Sequence, residues 1–201
     1  PFFERPDLSP FLVHLTKNTE KDDGFTAFKN LVSILTKGEI WSSGKKRGFI
    51  KGPHEATCFM DVPLTCLKHI LNKSNTDPDF PRYEPYGVVV SKGYAYSKGA
   101  RPVLYLSDSE LNDMGIPQDH LWRVVRFEGV GQNCIGWLHE REWRARGDFC
   151  LPDEPLAVLV KNSNDAKKLD SILHRNPGKF ARLPKSIIPL TILCQGLPYM
   201  V

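Results

Sequence analysis

Apolar and polar positions follow two different periods along the chain, and the switches between them mark out the elements. Phe11 to Thr16 is apolar and β-prone, broken by His14, and reads as a short strand, followed by a polar turn from Lys17 to Gly24. From Thr26 to Thr36, Phe28, Leu31, Val32 and Leu35 recur at three- and four-residue spacing, the period of an amphipathic helix, and Gly38 stands where such a helix closes. Residues 39–54 lose all periodicity and are rich in Gly and Lys, which predicts an exposed loop. A brief strand at 58–61 leads to Pro63, a first-turn residue for a helix carrying Leu64, Leu67, His69, Ile70 and Leu71. Three prolines then make 72–85 a surface connection.

The second half is rich in strands, expected at 86–91, 101–106, 121–127, 140–144, 156–160 and 187–194. A short helix with a Ser/Asp start fits 107–114. Another over 163–173 presents Ala166, Leu169, Ile172 and Leu173 on one side before Pro177 and Gly178. Without regular βαβ alternation this order is α+β rather than doubly wound, and no repeat or boundary divides 1–201.

Composition narrows the class further. A chain of 201 residues, 41% hydrophobic and 25% charged, buries a core without crosslinks. Five cysteines show no Cys-x-x-Cys spacing, so free thiols are expected and no zinc site. The longest apolar runs, such as 187–194, hold eight residues including a proline, against roughly 20 for a bilayer span. The opening residues carry Glu4, Arg5 and Asp7 and do not resemble a signal peptide, although Pro1 is no initiator. A cytoplasmic protein without a membrane partner is expected. The formal charge of +4 is mild, and the basic stretches Lys45-Lys46-Arg47 with Lys51, and Arg141, Arg144 and Arg146, permit nucleic acid without indicating it.

Candidate chemistry is sparse. No Gly-x-Gly-x-x-Gly, P-loop or His-Glu-x-x-His is present, which argues against a Rossmann dehydrogenase but leaves room for a nicotinamide cofactor bound some other way. The segment Glu140-Arg141-Glu142-Trp143-Arg144, read as a strand, puts Glu140, Glu142 and Arg144 on one face and Arg141 and Trp143 on the other. That polar face is either a solvated surface with ordinary ion pairs or the wall of a cleft. In a cleft, a carboxylate bonds a ribose hydroxyl or offsets positive charge on a ribosyl carbon, and Arg144 holds a phosphate or restrains the carboxylates. His14 and Thr16 share a face in the same way and offer ribose or phosphate contacts. Tyr86 and Tyr105 are core residues or stacking residues, and Arg101, at a strand opening, is a candidate anion contact. Cys58 has only His54 nearby in sequence, a poor basis for a cysteine nucleophile. Asp22-Asp23 and Asp77 with Asp79 lack a calcium-loop pattern, and His69, His120, His139 and His174 do not converge.

Taken in order, His14-Leu15-Thr16, the Leu31–Leu35 helix ending at Gly38-Glu39-Ile40, Cys58 to Leu64, Arg101 to Leu106 and Glu140 to Arg144 resemble the bacterial phage-defence proteins related to ADP-ribosyltransferases, of the DarT-like and abortive-infection type. The likeness runs over about 11–160 and rests on the order of short motifs; a Ser-Thr-Ser strand and a tyrosine completing a His-Tyr-Glu set are missing. It implies a split β-sheet core with flanking helices that grips NAD⁺ and breaks the nicotinamide–ribose bond. By position, Glu142 is the catalytic carboxylate and Glu140 the auxiliary member of a Glu-x-Glu pair. His14 with Thr16 holds the ribose, Arg101 or Arg144 faces phosphate, and Tyr86 or Tyr105 covers the nicotinamide ring. The acceptor is DNA, RNA or protein, with a protein partner of the toxin–antitoxin kind.

Three readings make different demands on the structure. A transferase puts His14 across a groove from Glu142, with no metal. A nuclease gathers Glu140 and Glu142 with Asp61 or another carboxylate about a divalent ion. A binding module shows a basic patch at 45–51 and a salt-bridged carboxylate pair.

Overall fold

The computed structural model describes residues 5–44, 50–73, 75–76, 82–128, 136 and 138–194. Lys45, Lys46, Arg47, Asp77 and Asp79, all weighed above, and one of the five cysteines, Cys134, lie outside them. The elements in order are β1 (Phe11–Leu15), α1 (Glu20–Asp23), α2 (Ala27–Lys37), β2 (Glu39–Ile40), β3 (Ala56–Met60), α3 (Leu67–Ile70), β4 (Gly87–Ser91), α4 (Lys92–Ser97), β5 (Arg101–Pro102), β6 (Leu104–Leu106) and α5 (Asp108–Asp113). They continue with β7 (Val124–Arg126), β8 (Glu142–Arg146), β9 (Phe149–Cys150), β10 (Ala157–Val160), α6 (Ser163–Arg175), β11 (Ile187–Pro189) and α7 (Leu190–Leu193).

Seven strands form one mixed sheet in the order β11-β10-β4-β1-β3-β8-β5. Five residue pairs join β1 to β4 and four join β3 to β8, but a single pair, Val13 with Met60, joins β1 to β3. The sheet is therefore split down its middle, as the family resemblance implied. Two small pairs, β2 with β9 and β6 with β7, flank it.

Period-2 alternation gives the sheet two cores. On one face Leu12, Phe59, Val88, Val90, Val158 and Val160 are closed over by Leu31 and Leu35 of α2 and Leu169 and Leu173 of α6. On the other, Val13, Met60, Val89 and Leu159 pack against Leu67 and Ile70 of α3 and Leu190 of α7. Thr26 accepts a bond from the Lys29 amide at the start of α2, and Gly38 closes the helix at φ 75, the left-handed position only glycine takes without strain. Leu31 and Leu35 are fully buried, and truncating either to alanine costs about 2–5 kcal/mol.

Several expected strands are shorter or interrupted. The 187–194 run becomes strand for three residues and then helix, because Pro189 stands at the N-cap of α7. The 101–106 run breaks at Val103 into β5, which joins the main sheet, and β6, which pairs with β7. Residues 118–123 form a 3₁₀ turn rather than a strand, and only 124–126 are extended. The four described cysteines, Cys58, Cys66, Cys150 and Cys194, are free thiols. Among the described residues no helix is long and apolar enough to cross a membrane.

Candidate active site

The 138–146 segment is not a continuous strand. A 3₁₀ turn over Leu138–Glu140 ends at Arg141, whose φ of 43° is left-handed, and β8 starts at Glu142. A non-glycine residue there costs about 1–2 kcal/mol. Arg141 is held by its own side chain, whose Nε donates to the carbonyl of Asp61 at 2.8 Å and whose Nη2 donates to that of Asp7. It is thus anchored by main-chain acceptors and is no part of a basic patch. The turn buries both neighbouring carboxylates, leaving the Glu140 side chain 7% exposed and that of Glu142 10%.

Each carboxylate has its own partners. Arg144 grips Glu142 in a fork, Nε to Oε1 at 2.8 Å and Nη2 to Oε2 at 3.2 Å. Its Nη1 donates to the carbonyls of Trp122 at 2.8 Å and Val124 at 3.2 Å. The Glu142 amide donates to the phenol oxygen of Tyr105 at 2.9 Å. Glu140 accepts from the hydroxyl of Tyr83 at 2.6 Å and from Nη2 of Arg82 at 3.2 Å. Burial pushes the Glu140 carboxyl above its ordinary range; Tyr83 and Arg82 pull it back, and the Glu142 charge adds to the rise. Arg82 and Tyr83 carried no signal in the sequence, where they follow a proline in what reads as a surface connection.

Cys58 and Met60 lie beside Arg144 and Glu142 in the register of β3 with β8. Burial, and then the Glu142 charge, push the Cys58 thiol far up, so it is no nucleophile. His54, its neighbour in sequence, pairs instead with Asp119 at 3.1 Å.

The strand register corrects the expected placement of His14. Val13 pairs with Met60 and Met60 with Glu142, so these share a face. His14 belongs to the other face, where its ring meets Phe59 edge-on at 6.0 Å. His14 and Glu142 therefore stand on opposite faces of the sheet rather than across one groove. The imidazole sits at the seam where β1 and β3 part, with Nδ1 2.8 Å from the Cys58 carbonyl oxygen. Only a protonated Nδ1 bonds a carbonyl, and burial lowers the His14 pKa from its ordinary 6.5. The ring is accordingly neutral at pH 7 and presents Nε2 as an acceptor.

Four other candidates have their polar groups engaged away from the carboxylates, or buried beside them. Thr16 is buried and donates to the Ala27 carbonyl at 2.9 Å, tying the end of β1 to the start of α2. Tyr86 donates to Asp165 of α6 at 2.9 Å and meets Phe28 edge-on. Arg101 stacks on Tyr96 with its Nη1 on the carbonyls of Tyr96 and Ala100, turned toward the end of α4. Arg144 is enclosed at 4% exposure, so of the two roles considered it restrains a carboxylate and does not face phosphate. Tyr105 remains at the site, through its bond to the Glu142 amide.

The nuclease arrangement is not assembled. Asp61 pairs with Lys92 at 2.7 Å, and that ammonium lies 5.9 Å from the ring of Trp143, on the face away from Glu142. Among the described residues no three His, Cys, Asp or Glu side chains converge on a point that holds a metal ion. Of the basic residues at 45–51, only Lys51 is described, and it pairs with Asp108 at 2.8 Å.

No protein-family model matches the chain, and no curated protein does. Solved structures do. DarT of Thermus sp. 2.9 in complex with NAD⁺ superposes with a TM-score of 0.50 over 92% of this chain and 96% of that chain, at 17% identity. The same protein in complex with carba-NAD⁺ gives 0.49 over 92% and 97%, at 16% identity. The split mixed sheet with its flanking helices is thus an ADP-ribosyltransferase-like fold. It resembles the fold of DarT over almost the whole length of both chains.

Proposed function

We propose that this chain is an NAD⁺-dependent ADP-ribosyltransferase with Glu142 as its catalytic carboxylate. The observation that carries the reading is the fixed position of Glu142: buried, forked by Arg144, and placed at the head of β8 by a strained turn. The fold it occupies is that of a protein solved with NAD⁺.

NAD⁺ enters as a substrate. Breaking its nicotinamide–ribose bond releases neutral nicotinamide and leaves positive charge on the ribosyl carbon and ring oxygen. A carboxylate already oriented and desolvated offsets that oxocarbenium-like charge without reorganising. Each Glu142 oxygen keeps a second lone pair beyond the one given to Arg144. The acceptor then bonds to the ribosyl carbon and gives its proton to a base. Glu140, with its carboxyl raised by burial, suits that role. Tyr105 flanks the carboxylate at the ribose end of the donor. His14 lies on the other face of the sheet, at the seam between the half-sheets, and does not stand beside Glu142 on the same ribose. The acceptor is a nucleic acid or a protein, and the setting is cytoplasmic defence or a toxin–antitoxin pair.

A second reading, a non-catalytic nucleotide or nucleic-acid binder, draws on one fact: both carboxylates are ion-paired, Glu142 with Arg144 and Glu140 with Arg82. Nicotinamide release separates the two. The intact chain and Glu142→Gln are compared with NAD⁺ alone and with single- or double-stranded nucleic acid or protein added. Release that disappears in the variant supports the transferase. NAD⁺ binding without turnover under every condition supports the binder.

A further inference from the structure

We infer that Arg144 is a positioning residue for Glu142, and that the 3₁₀ turn at 118–123 sets the carboxylate through it; the inference rests on the transferase reading above. A guanidinium has five N–H donors. Arg144 directs two groups, Nε and Nη2, at Glu142, and its third, Nη1, at the carbonyls of Trp122 and Val124. Its side chain is only 4% exposed, so it acts on a ligand through the carboxylate and not by touching it. The two carbonyls belong to the end of the 3₁₀ turn and the start of β7. A shift of that turn moves the fork, and the fork moves the carboxylate.

The turn is itself clamped from outside the sheet. A Cβ on Gly52 would stand 2.7 Å from Cβ of Leu121 and 3.0 Å from the carbonyl oxygen of Gln118. Gly52 also has φ +83°, so it is a glycine on two counts: close approach and left-handed backbone. An ion pair and a hydrogen bond hold the same loop in place: Lys51 to Asp108 at 2.8 Å and His54 to Asp119, within the turn, at 3.1 Å. A continuous set of contacts thus runs from an outer loop through Leu121, Trp122 and Arg144 to Glu142.

Arg144→Lys keeps the buried charge but cannot make the fork and both carbonyl bonds together. Gly52→Ala leaves Arg144 unchanged and displaces the turn. Both are compared with the intact chain for nicotinamide release across NAD⁺ concentrations and for NAD⁺ binding by calorimetry. A misplaced catalytic group costs about 100-fold, so kcat for Arg144→Lys falls by that order while KM and Kd for NAD⁺ stay within about threefold. Gly52→Ala lowers kcat about tenfold with the same constancy of KM. An Arg144→Lys enzyme as fast as the intact chain overturns the inference. So does a rise in KM without a fall in kcat, because that pattern puts the guanidinium on the ligand. If Arg144→Lys does not fold by circular dichroism, Gly52→Ala decides: a lowered kcat supports the positioning role and an unchanged one overturns it. An intact chain that releases no nicotinamide sinks the transferase reading and this one with it. An intact chain silenced by Glu142→Gln but indifferent to both other variants sinks only this one.

Discussion

Replacing Arg144 by methionine removes a cation from inside the protein and leaves the Glu142 carboxylate, 10% exposed, without its partner. Breaking one side of a buried pair costs about 3–5 kcal/mol, mostly because the remaining charge is uncompensated. The carbonyls of Trp122 and Val124 lose their Arg144 donor as well, about 1 kcal/mol each. Methionine fills part of the space and recovers some packing, so a net loss of about 4 kcal/mol is expected. The double variant Glu142→Leu/Arg144→Met takes away both charges and leaves only the carbonyls unanswered, and should cost about 1–2 kcal/mol. Urea unfolding followed by tryptophan fluorescence reads both, given unchanged m-values across the four members of the cycle. The double variant should thus be about 2–3 kcal/mol more stable than Arg144→Met alone. If the single variant costs no more than the double, the carboxylate does not depend on the fork, and the account of a preorganised Glu142 is refuted.

Two further outcomes follow from the same groups. Burial raises the Glu140 carboxyl; a carboxyl whose folded pKa lies above its unfolded one contributes stability only below the unfolded value and loses it as pH rises. Glu140→Gln, which keeps an acceptor for Tyr83, should therefore melt higher than the intact chain at pH 8 and lose that advantage near pH 4, while ADP-ribose transfer to the acceptor drops; equal melting at pH 8 counts against the assignment. His14 is held neutral with its pKa below the ordinary 6.5, so its contribution is present above 6.5 and is lost as pH falls below it. Melting temperature should fall between pH 6.5 and 5 in the intact chain and fall less in His14→Gln, and parallel curves would argue against a buried neutral imidazole.

What the sequence disclosed depended on how local each determinant was. Helix α2 was legible because its apolar stripe, its Thr26 cap and its Gly38 stop lie within a dozen residues. β4 and β10 were legible because strands buried on both faces read as unbroken Val and Leu. Helix α4 was not, since Lys-Gly-Tyr-Ala-Tyr-Ser has no apolar period; a Ser91 cap and one buried Ala95 make it helical. The Glu-x-Glu pair was found, but its conformation depends on Arg141 reaching Asp61 and Asp7, contacts 80 and 134 residues distant in sequence. Sharing a strand face also says nothing about burial. Glu142 and Arg144 do point the same way, yet they are enclosed together, and the arginine that looked like a phosphate ligand is spent on its neighbour. Arg101 misled for a similar reason, its partners being carbonyls at the end of a helix the pattern had not revealed.

The single bridge that joins the two half-sheets has a consequence for how the chain is assembled. One half holds β1, β4, β10 and β11, the other β3, β8 and β5, so the polypeptide passes from half to half four times along its length. Neither half corresponds to a contiguous fragment, and cutting the chain anywhere between β3 and β8 leaves each piece with orphaned strands from both. β4 cannot acquire its β10 neighbour until residue 160 has been made, nor β3 its β8 neighbour until residue 146. A nascent chain halted before those points carries Glu142 in an unfinished sheet or not at all. The carboxylate is thereby without its finished sheet at least until residue 160 has been made.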